Sequence, residues 1–183
     1  MSLYRIPIHE NSPKVINTVI EIPKGSSAKY EFDPVLNVFK LDRCLMSAMV
    51  YPASYGFIPS TLAQDGDALD VIVYNAQPID RGSLVECSVI GCLDMYDNGV
   101  ADYKVLACPT SHVRDYDTVD DVDQVFLRVA ENFFQHYKEL DDKHVTTAGW
   151  VRRQETYDII NKSAKAFEDV KNRQQEHLHF DIR

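Results

Sequence analysis

The chain of 183 residues carries 19 Lys and Arg against 28 Asp and Glu, a formal net charge of −9, with 45% hydrophobic and 26% charged side chains. This composition suits a single globular domain over residues 1–183 with a sizeable core, and excludes disordered, collagenous and helical membrane-spanning classes. The acidity speaks against a dedicated nucleic-acid binder, because such proteins draw affinity from Lys and Arg on phosphates. An anionic substrate would have to arrive with cations. No run approaches the roughly 18 apolar residues of a membrane span, and the first ten residues (MSLYRIPIHE) lack the basic-then-apolar layout of a secretory leader. The expectation is a soluble, cytoplasmic protein with no membrane partner. Cys44, Cys87, Cys92 and Cys108 form no CxxC pair and are too few for a disulfide scaffold, so they read as reduced thiols.

In chain order, residues 15–23 (VINTVIEIP), 29–33, 70–74, 84–93 and 102–108 are rich in Val, Ile and Tyr and bounded by Gly, Pro, Asn or Asp. Five strands at this close spacing predict a small barrel. Beyond Thr118 the apolar period changes to three or four: Val122, Phe126, Val129, Phe133, Tyr137 and Leu140, then Ile160, Ala164 and Phe167. Two amphipathic helices are expected, the first capped by Asp120 or Asp121. The acids between Asp115 and Asp123 are assigned to that cap and to solvent. The polar stretch 172–183 is expected to fray.

The negative charge is concentrated. Residues 1–64 hold six bases and five acids, whereas residues 65–104 hold eight acids and two bases. Three of those acids stand in six residues, Asp65-Gly66-Asp67-Ala68-Leu69-Asp70, directly before an apolar strand. Converging carboxylates suit hard divalent cations. The EF-hand reading fails, because Asp70 stands at position 6 where glycine is needed and Ala76 at position 12 where glutamate is needed. A polar turn remains the bland alternative. In the second acidic element, Asp97 and Asp102 flank an Asn98-Gly99 turn, and Lys104 follows at strand period on the side of Asp102. A lysine beside clustered carboxylates suits joint handling of metal and phosphate, or is an ordinary ion pair. The first third contributes Glu21, Lys29, Glu31, Arg43, Tyr51 and Tyr55, and the end of the first helix contributes His136-Tyr137-Lys138. Arginine offers a planar fork to phosphate oxygens, and tyrosine a donor without charge.

Taken together in order, Glu21, Lys29-Tyr30-Glu31, Asp42-Arg43, Tyr51-Pro52…Tyr55-Gly56, Asp65-Gly66-Asp67…Asp70, Asp97…Asp102…Lys104 and Phe133-Phe134…His136-Tyr137-Lys138 resemble the family I soluble inorganic pyrophosphatases. The likeness runs from Val19 through Trp150. It implies a mainly β fold, a five-stranded barrel of the oligonucleotide/oligosaccharide-binding (OB) type with two flanking α-helices, and Mg²⁺-dependent hydrolysis of pyrophosphate to two phosphates. By matching position, it implies that Asp65, Asp70 and Asp102 hold the tightest metal, with Asp70 bridging to a second. Asp97, Asp102 and Glu21 would serve the metals that come with substrate. Lys29, Arg43, Tyr55, Lys104, Tyr137 and Lys138 would bind phosphate, Asp67 would act as general base, and Glu31 and Tyr51 would support them.

Further implications are several Mg²⁺ ions per site, with Mn²⁺ or Zn²⁺ as substitutes, a substrate that is the magnesium complex of pyrophosphate, and a homo-oligomer, a hexamer first and a dimer as the alternative. The chain departs from the family at Ala68, where proline is usual and the loop holding Asp67 would be looser. It departs also at Asn98, where an acid or glycine is common, and at Cys44 after Arg43. The competing readings are a phosphohydrolase acting mainly on nucleoside triphosphates or short polyphosphate, a non-catalytic nucleotide-binding or single-strand-binding barrel, and a structural calcium-binding domain.

Overall fold

The computed structural model describes residues 2–111, 116–141 and 144–180, with side chains to residue 173. The strands are β1 (Val15–Ile22), β2 (Ala28–Asp33), β3 (Val38–Cys44), β4 (Ser54–Phe57), β5 (Asp70–Val73), β6 (Leu84–Asp97), β7 (Val100–Ala101), β8 (Lys104–Pro109) and β9 (Val145–Arg152). The helices are α1 (Gln124–His136) and α2 (Arg153–Phe180). β1 pairs antiparallel with β4, β4 with β5, β5 in parallel with β8, β8 antiparallel with β6, and β6 returns to β1. Five strands thus close into a ring. β7 and β9 extend the outer end of β6, and β2 and β3 form a separate hairpin.

Strand alternation divides the core in two. Ile72 points into one cluster, with Ile90, Leu93 and Leu106, and α1 joins it through Leu127, Phe133 and Phe134. Val71 and Val73 point into the other, with Ile16, Ile20 and Val105, and α2 joins it through Ile160. Full burial of each such aliphatic side chain contributes about 1.5–3 kcal/mol, so each helix is fixed by its apolar stripe rather than by its termini. One close approach dictates a residue type: a Cβ on Gly56 would lie 1.8 Å from the Val19 carbonyl oxygen, so β1 and β4 pack together only with glycine there.

A mainly β ring with two helices matches the sequence expectation, but one of its strands differs. Residues 29–33 lie outside the ring, and Ser54–Phe57 takes the place given to them. Ser54–Phe57 is four residues long and bounded by Pro52 and Pro59, which hides it among turn signals. β3 and β9 also escape the strand pattern. β3 is largely exposed, and β9 carries Gly149 at φ 93° in its middle.

The helix boundaries shift too. The cap of α1 is Asp123, whose carboxylate accepts the Val125 N–H at 2.9 Å. Asp121 instead forms a reciprocal cap with Thr118 on the short 3₁₀ turn Val119–Asp121 that precedes the helix. Asp115 lies outside the described residues. α2 begins seven residues before Ile160 and runs through the polar stretch to Phe180, a length of about 42 Å at 1.5 Å per residue.

Candidate active site

A cavity of about 1380 Å³ opens between the mouth of the ring, the β2–β3 hairpin and the end of α1. Each wall is set by local chemistry. On β1 a bulge between Ile20 and Ile22 takes Glu21 out of the ladder, and its Oε1 accepts the Phe32 N–H of β2 at 2.7 Å. Before β5, Gly66 at φ 95° turns the chain so that Asp65 Oδ1 accepts the Asp67 N–H at 3.1 Å. Asp65 and Asp67 are thereby held side by side at the start of the strand that presents Asp70.

Parallel pairing then places Asp70 directly beside Lys104 of β8. Lys104 Nζ donates to Asp70 Oδ2 at 2.5 Å and to Asp102 Oδ1, and the lysine is 2% exposed. The Asp97–Val100 pair brackets a two-residue turn in which Asn98 adopts φ 50°, so that β6 and β7 present Asp97 and Asp102 to one opening. Asn98 also bridges to His144 through their backbones, with the Asn98 N–H reaching the His144 carbonyl at 3.0 Å.

α1 stops at His136, and Tyr137 caps it with its N–H on the Phe133 carbonyl at 2.8 Å. The chain leaves the helix there, so Lys138 reaches Asp97 Oδ2 at 2.6 Å. Tyr51, 1% exposed, lies beneath the cavity rather than on its wall. Its ring sits 5.4 Å from Tyr55 and 4.8 Å from Phe133. On the hairpin, Lys29 Nζ contacts Glu31 and, at 3.0 Å, Asp42 Oδ2. Arg43 Nη1 reaches Asp141 Oδ2 at 2.9 Å.

Every cation of the cavity is therefore paired with at least one carboxylate, and acids remain in excess. The consequences appear in the titration of the buried groups. Burial pushes Glu21 up to about 8, against the pull of the Phe32 N–H. Burial, followed by Asp65 and Asp70, raises Asp67. Asp102 is raised by burial and held back by Lys104. Burial alone would lower Lys104, but Asp70 and Asp102 outweigh it and the ammonium is strongly stabilised.

All the site residues named from the sequence except Tyr51 line this cavity: Glu21, Lys29, Glu31, Arg43, Tyr55, Asp65, Asp67, Asp70, Asp97, Asp102, Lys104, Tyr137 and Lys138. Three further residues carried no assigned role before the structure. Tyr4 lines the cavity from an N-terminal 3₁₀ turn. Asp42 lines it between Lys29 and Arg43. Asp141 meets Arg43 from 98 residues away, and no local pattern announces a pair so distant.

The donor set suits a hard divalent cation, since Glu21, Asp65, Asp67, Asp70 and Asp102 bring only oxygen and too much negative charge for the ammonium groups present. Among the described residues, no three His, Cys, Asp or Glu side chains are already gathered around a single point. Lys104 Nζ stands between Asp70 and Asp102 in this structure.

A family model described as inorganic pyrophosphatase matches residues 18–168. The chain belongs to the inorganic pyrophosphatase family. It is 40% identical over 163 residues to the inorganic pyrophosphatase of Aeropyrum pernix, covering 86% of this chain and 93% of that one. To the Thermus thermophilus inorganic pyrophosphatase it is 41% identical over 157 residues, covering 81% and 88%. The crystal structure of a Thermus thermophilus inorganic pyrophosphatase superposes with a TM-score of 0.88 at 36% identity, over 92% of this chain and 99% of that one. That of Helicobacter pylori gives 0.84 at 32%, over 89% and 98%. Residues 18–168 begin within β1 and end within α2, so the inorganic pyrophosphatase match takes in the strand ring except the first three residues of β1, together with the cavity's two acidic elements.

Proposed function

We propose that the protein hydrolyses inorganic pyrophosphate to two orthophosphates in a Mg²⁺-dependent reaction at this cavity. The observation that carries the reading is the single cavity in which Lys29, Arg43, Lys104 and Lys138 interleave with an excess of carboxylates, in a chain of this family. Asp65, Asp70, Asp97, Asp102 and Glu21 are the groups to hold cations, with Asp70 shared between two. Bound Mg²⁺, several ions per site with Mn²⁺ or Zn²⁺ as substitutes, would bring the pKa of a bound water toward about 7 and offset the substrate's charge.

The chain's own residues do the rest. Asp67 accepts the proton of the attacking water. Its raised pKa brings it nearer the base strength that such a transfer needs at neutral pH. The water oxygen bonds to one phosphorus while the bridging P–O bond breaks in line. Arg43, Lys29 and Lys104 meet phosphate oxygens as charged donors. Tyr55 and Tyr137 offer hydroxyl donors at the cavity wall, and burial raises Tyr55 strongly, so its proton stays on the oxygen. Lys138 neutralises the leaving phosphate. Glu31 pairs with Lys29, and Tyr51 packs behind Tyr55, so both act by holding others in place.

The same reading includes arrival of pyrophosphate as its magnesium complex, a cytoplasmic location and a homo-oligomer, a hexamer first and a dimer as the alternative. Among the described residues no helix is long and apolar enough to cross a membrane. Exposed Val50, Val125 and Val129 border a groove of about 470 Å³ and supply apolar surface that self-association would bury.

The experiment is phosphate release from pyrophosphate by the purified protein, with Mg²⁺ and with chelator, alongside Asp70→Asn and alongside ATP as substrate. Release that requires both the cation and Asp70, and that exceeds ATP hydrolysis, supports the reading. Intact protein that releases phosphate from ATP or short polyphosphate faster than from pyrophosphate moves it to a general phosphohydrolase.

A further inference from the structure

β6 pairs with β1 as far as Leu84 and Val19, and the loop that leads into β6 carries the pairing one residue further. The Ile20 N–H donates to the Ser83 carbonyl at 3.0 Å, and the Gly82 N–H donates to the Ile20 carbonyl at 2.8 Å. Next comes Glu21, where β1 bulges against β4 and the ladder is locally disrupted. At this point a side chain joins the ladder: Arg81 Nε donates to the Glu21 carbonyl at 2.8 Å. The guanidinium carbon of the same residue lies 3.2 Å from the centre of the Tyr30 ring on β2. The loop approaches β3 as well, since a Cβ on Gly82 would stand 3.6 Å from Phe39 Cε2. Arg81 thus holds the β1 bulge with its edge and the hairpin with its face.

We propose that Arg81 is a positioning residue of the hydrolytic site, latching the β2–β3 hairpin to the β1 bulge so that the wall carrying Lys29 and Glu31 keeps its place beside Glu21. This inference rests on the proposed pyrophosphatase reaction. The hairpin is a two-stranded sheet outside the ring, and such a unit is marginally stable by itself, so its place at the cavity depends on its ties. Phe32 supplies two of them, through its packing with Val19 and Phe57 and through its N–H on Glu21 Oε1. The second of these occupies a carboxylate that the reaction assigns to cations. Arg81 joins the same two segments through groups the reaction does not use, the Glu21 backbone carbonyl and the Tyr30 ring. Arginine suits this task because its planar cation stacks on a ring while an in-plane N–H points outward, whereas the point charge of lysine has no plane. Without the latch, fewer molecules hold both walls in register. Apparent substrate affinity then drops by that fraction, while filled sites turn over as before.

The test compares wild type with Arg81→Met, which keeps the aliphatic stem, Arg81→Lys, which keeps the charge, Tyr30→Leu, which removes the ring, and the double variant Arg81→Met with Tyr30→Leu. Hydrogen–deuterium exchange is followed in chelator over β2, with β8 as the internal control. A hydrogen bond from a charged donor is worth about a tenfold factor or more, so Arg81→Met should speed exchange over β2 about tenfold and leave β8 at the wild-type rate. Its KM for magnesium pyrophosphate should rise about tenfold, with kcat within about twofold. Tyr30→Leu should move both readouts the same way. The double variant should be no worse than Arg81→Met, because one latch is broken only once. Arg81→Lys should resemble Arg81→Met rather than wild type.

Wild-type exchange over β2 in Arg81→Met would overturn the inference, because the hairpin would then be held without the latch. Faster exchange with an unchanged KM would overturn it too, since the freed hairpin would not matter to substrate. Wild-type behaviour in Arg81→Lys would assign the effect to charge alone, and faster exchange over β8 would reduce Arg81 to a general structural role; either result rejects the latch. Wild-type protein that hydrolyses no pyrophosphate sinks the proposed reaction, and the role of Arg81 at a hydrolytic site with it, whatever the exchange shows.

Discussion

Replacing Lys104 by methionine removes an ammonium that is 2% exposed and stands between Asp70 and Asp102. Methionine keeps most of the aliphatic volume, so the perturbation is one of charge. Two carboxylates then face each other with no counter-ion, and breaking a buried pair in this way costs about 3–5 kcal/mol. For a chain of this size each kcal/mol moves the melting temperature by about 2–4 °C, so a fall of roughly 10 °C is expected in chelator at pH 8. Asp102 is already raised, so the folded state holds a proton that the unfolded state has released over the range above the ordinary aspartate value. Stability therefore falls as pH rises through that range, and falls further without Lys104.

The deficit should shrink at pH 5, where a proton can replace the ammonium, and shrink again at pH 8 in Mg²⁺, where a cation can. Thermal denaturation followed by circular dichroism at the two pH values, with chelator and with Mg²⁺, measures all four conditions. Equal melting temperatures for Lys104→Met and wild type in chelator would falsify the claim that Lys104 neutralises this pair. A deficit that Mg²⁺ leaves untouched would show that the two carboxylates are not available to a cation.

Asp67→Asn should lower pyrophosphate turnover by about 10² or more while preserving the Mg²⁺-induced rise in melting temperature, and near-normal turnover removes it from the role of base. Glu21 sits near pKa 8 in the folded chain, so in chelator stability should decline from about pH 4.5 to 8 and then level off, and Glu21→Gln should flatten that slope in denaturant titrations. Gly56→Ala places a methyl 1.8 Å from the Val19 carbonyl oxygen and should destabilise by at least about 1–3 kcal/mol; an unchanged denaturation midpoint would contradict the close approach of β1 and β4. Of the four thiols only Cys44 is exposed, and Cys87 is pushed up to about 12 by burial, so a thiol-specific chromogenic reagent should titrate one cysteine in native protein and four in denaturant.

What was legible in the sequence followed from short-range patterns. The Asp65-Gly66-Asp67…Asp70 run is readable because cation ligation and the turn that presents it both leave local marks. The helices are readable because their apolar stripes keep a period. Ser54–Phe57 is not, since four residues between prolines carry too little alternation to outweigh the turn signal, although they complete the ring. Asp141 is invisible for another reason: its meaning lies wholly in Arg43, and only the fold joins them. Tyr4 looks like any N-terminal aromatic until Phe32 and Phe57 are seen to hold it at the cavity wall.

The pairing of charged partners far apart in the chain has a consequence for biosynthesis. Asp70 emerges from the ribosome 34 residues before the lysine that neutralises it, and Arg43 emerges 98 residues before Asp141. At translation rates of about 5–20 residues per second, the acidic loop spends seconds in the nascent chain with its charges uncompensated. Until β8 and the end of α1 have been made, that repulsion opposes closure of the ring. A chain terminated before β8 would lack Lys104 and Lys138, and so would leave Asp70 and Asp97 without these partners.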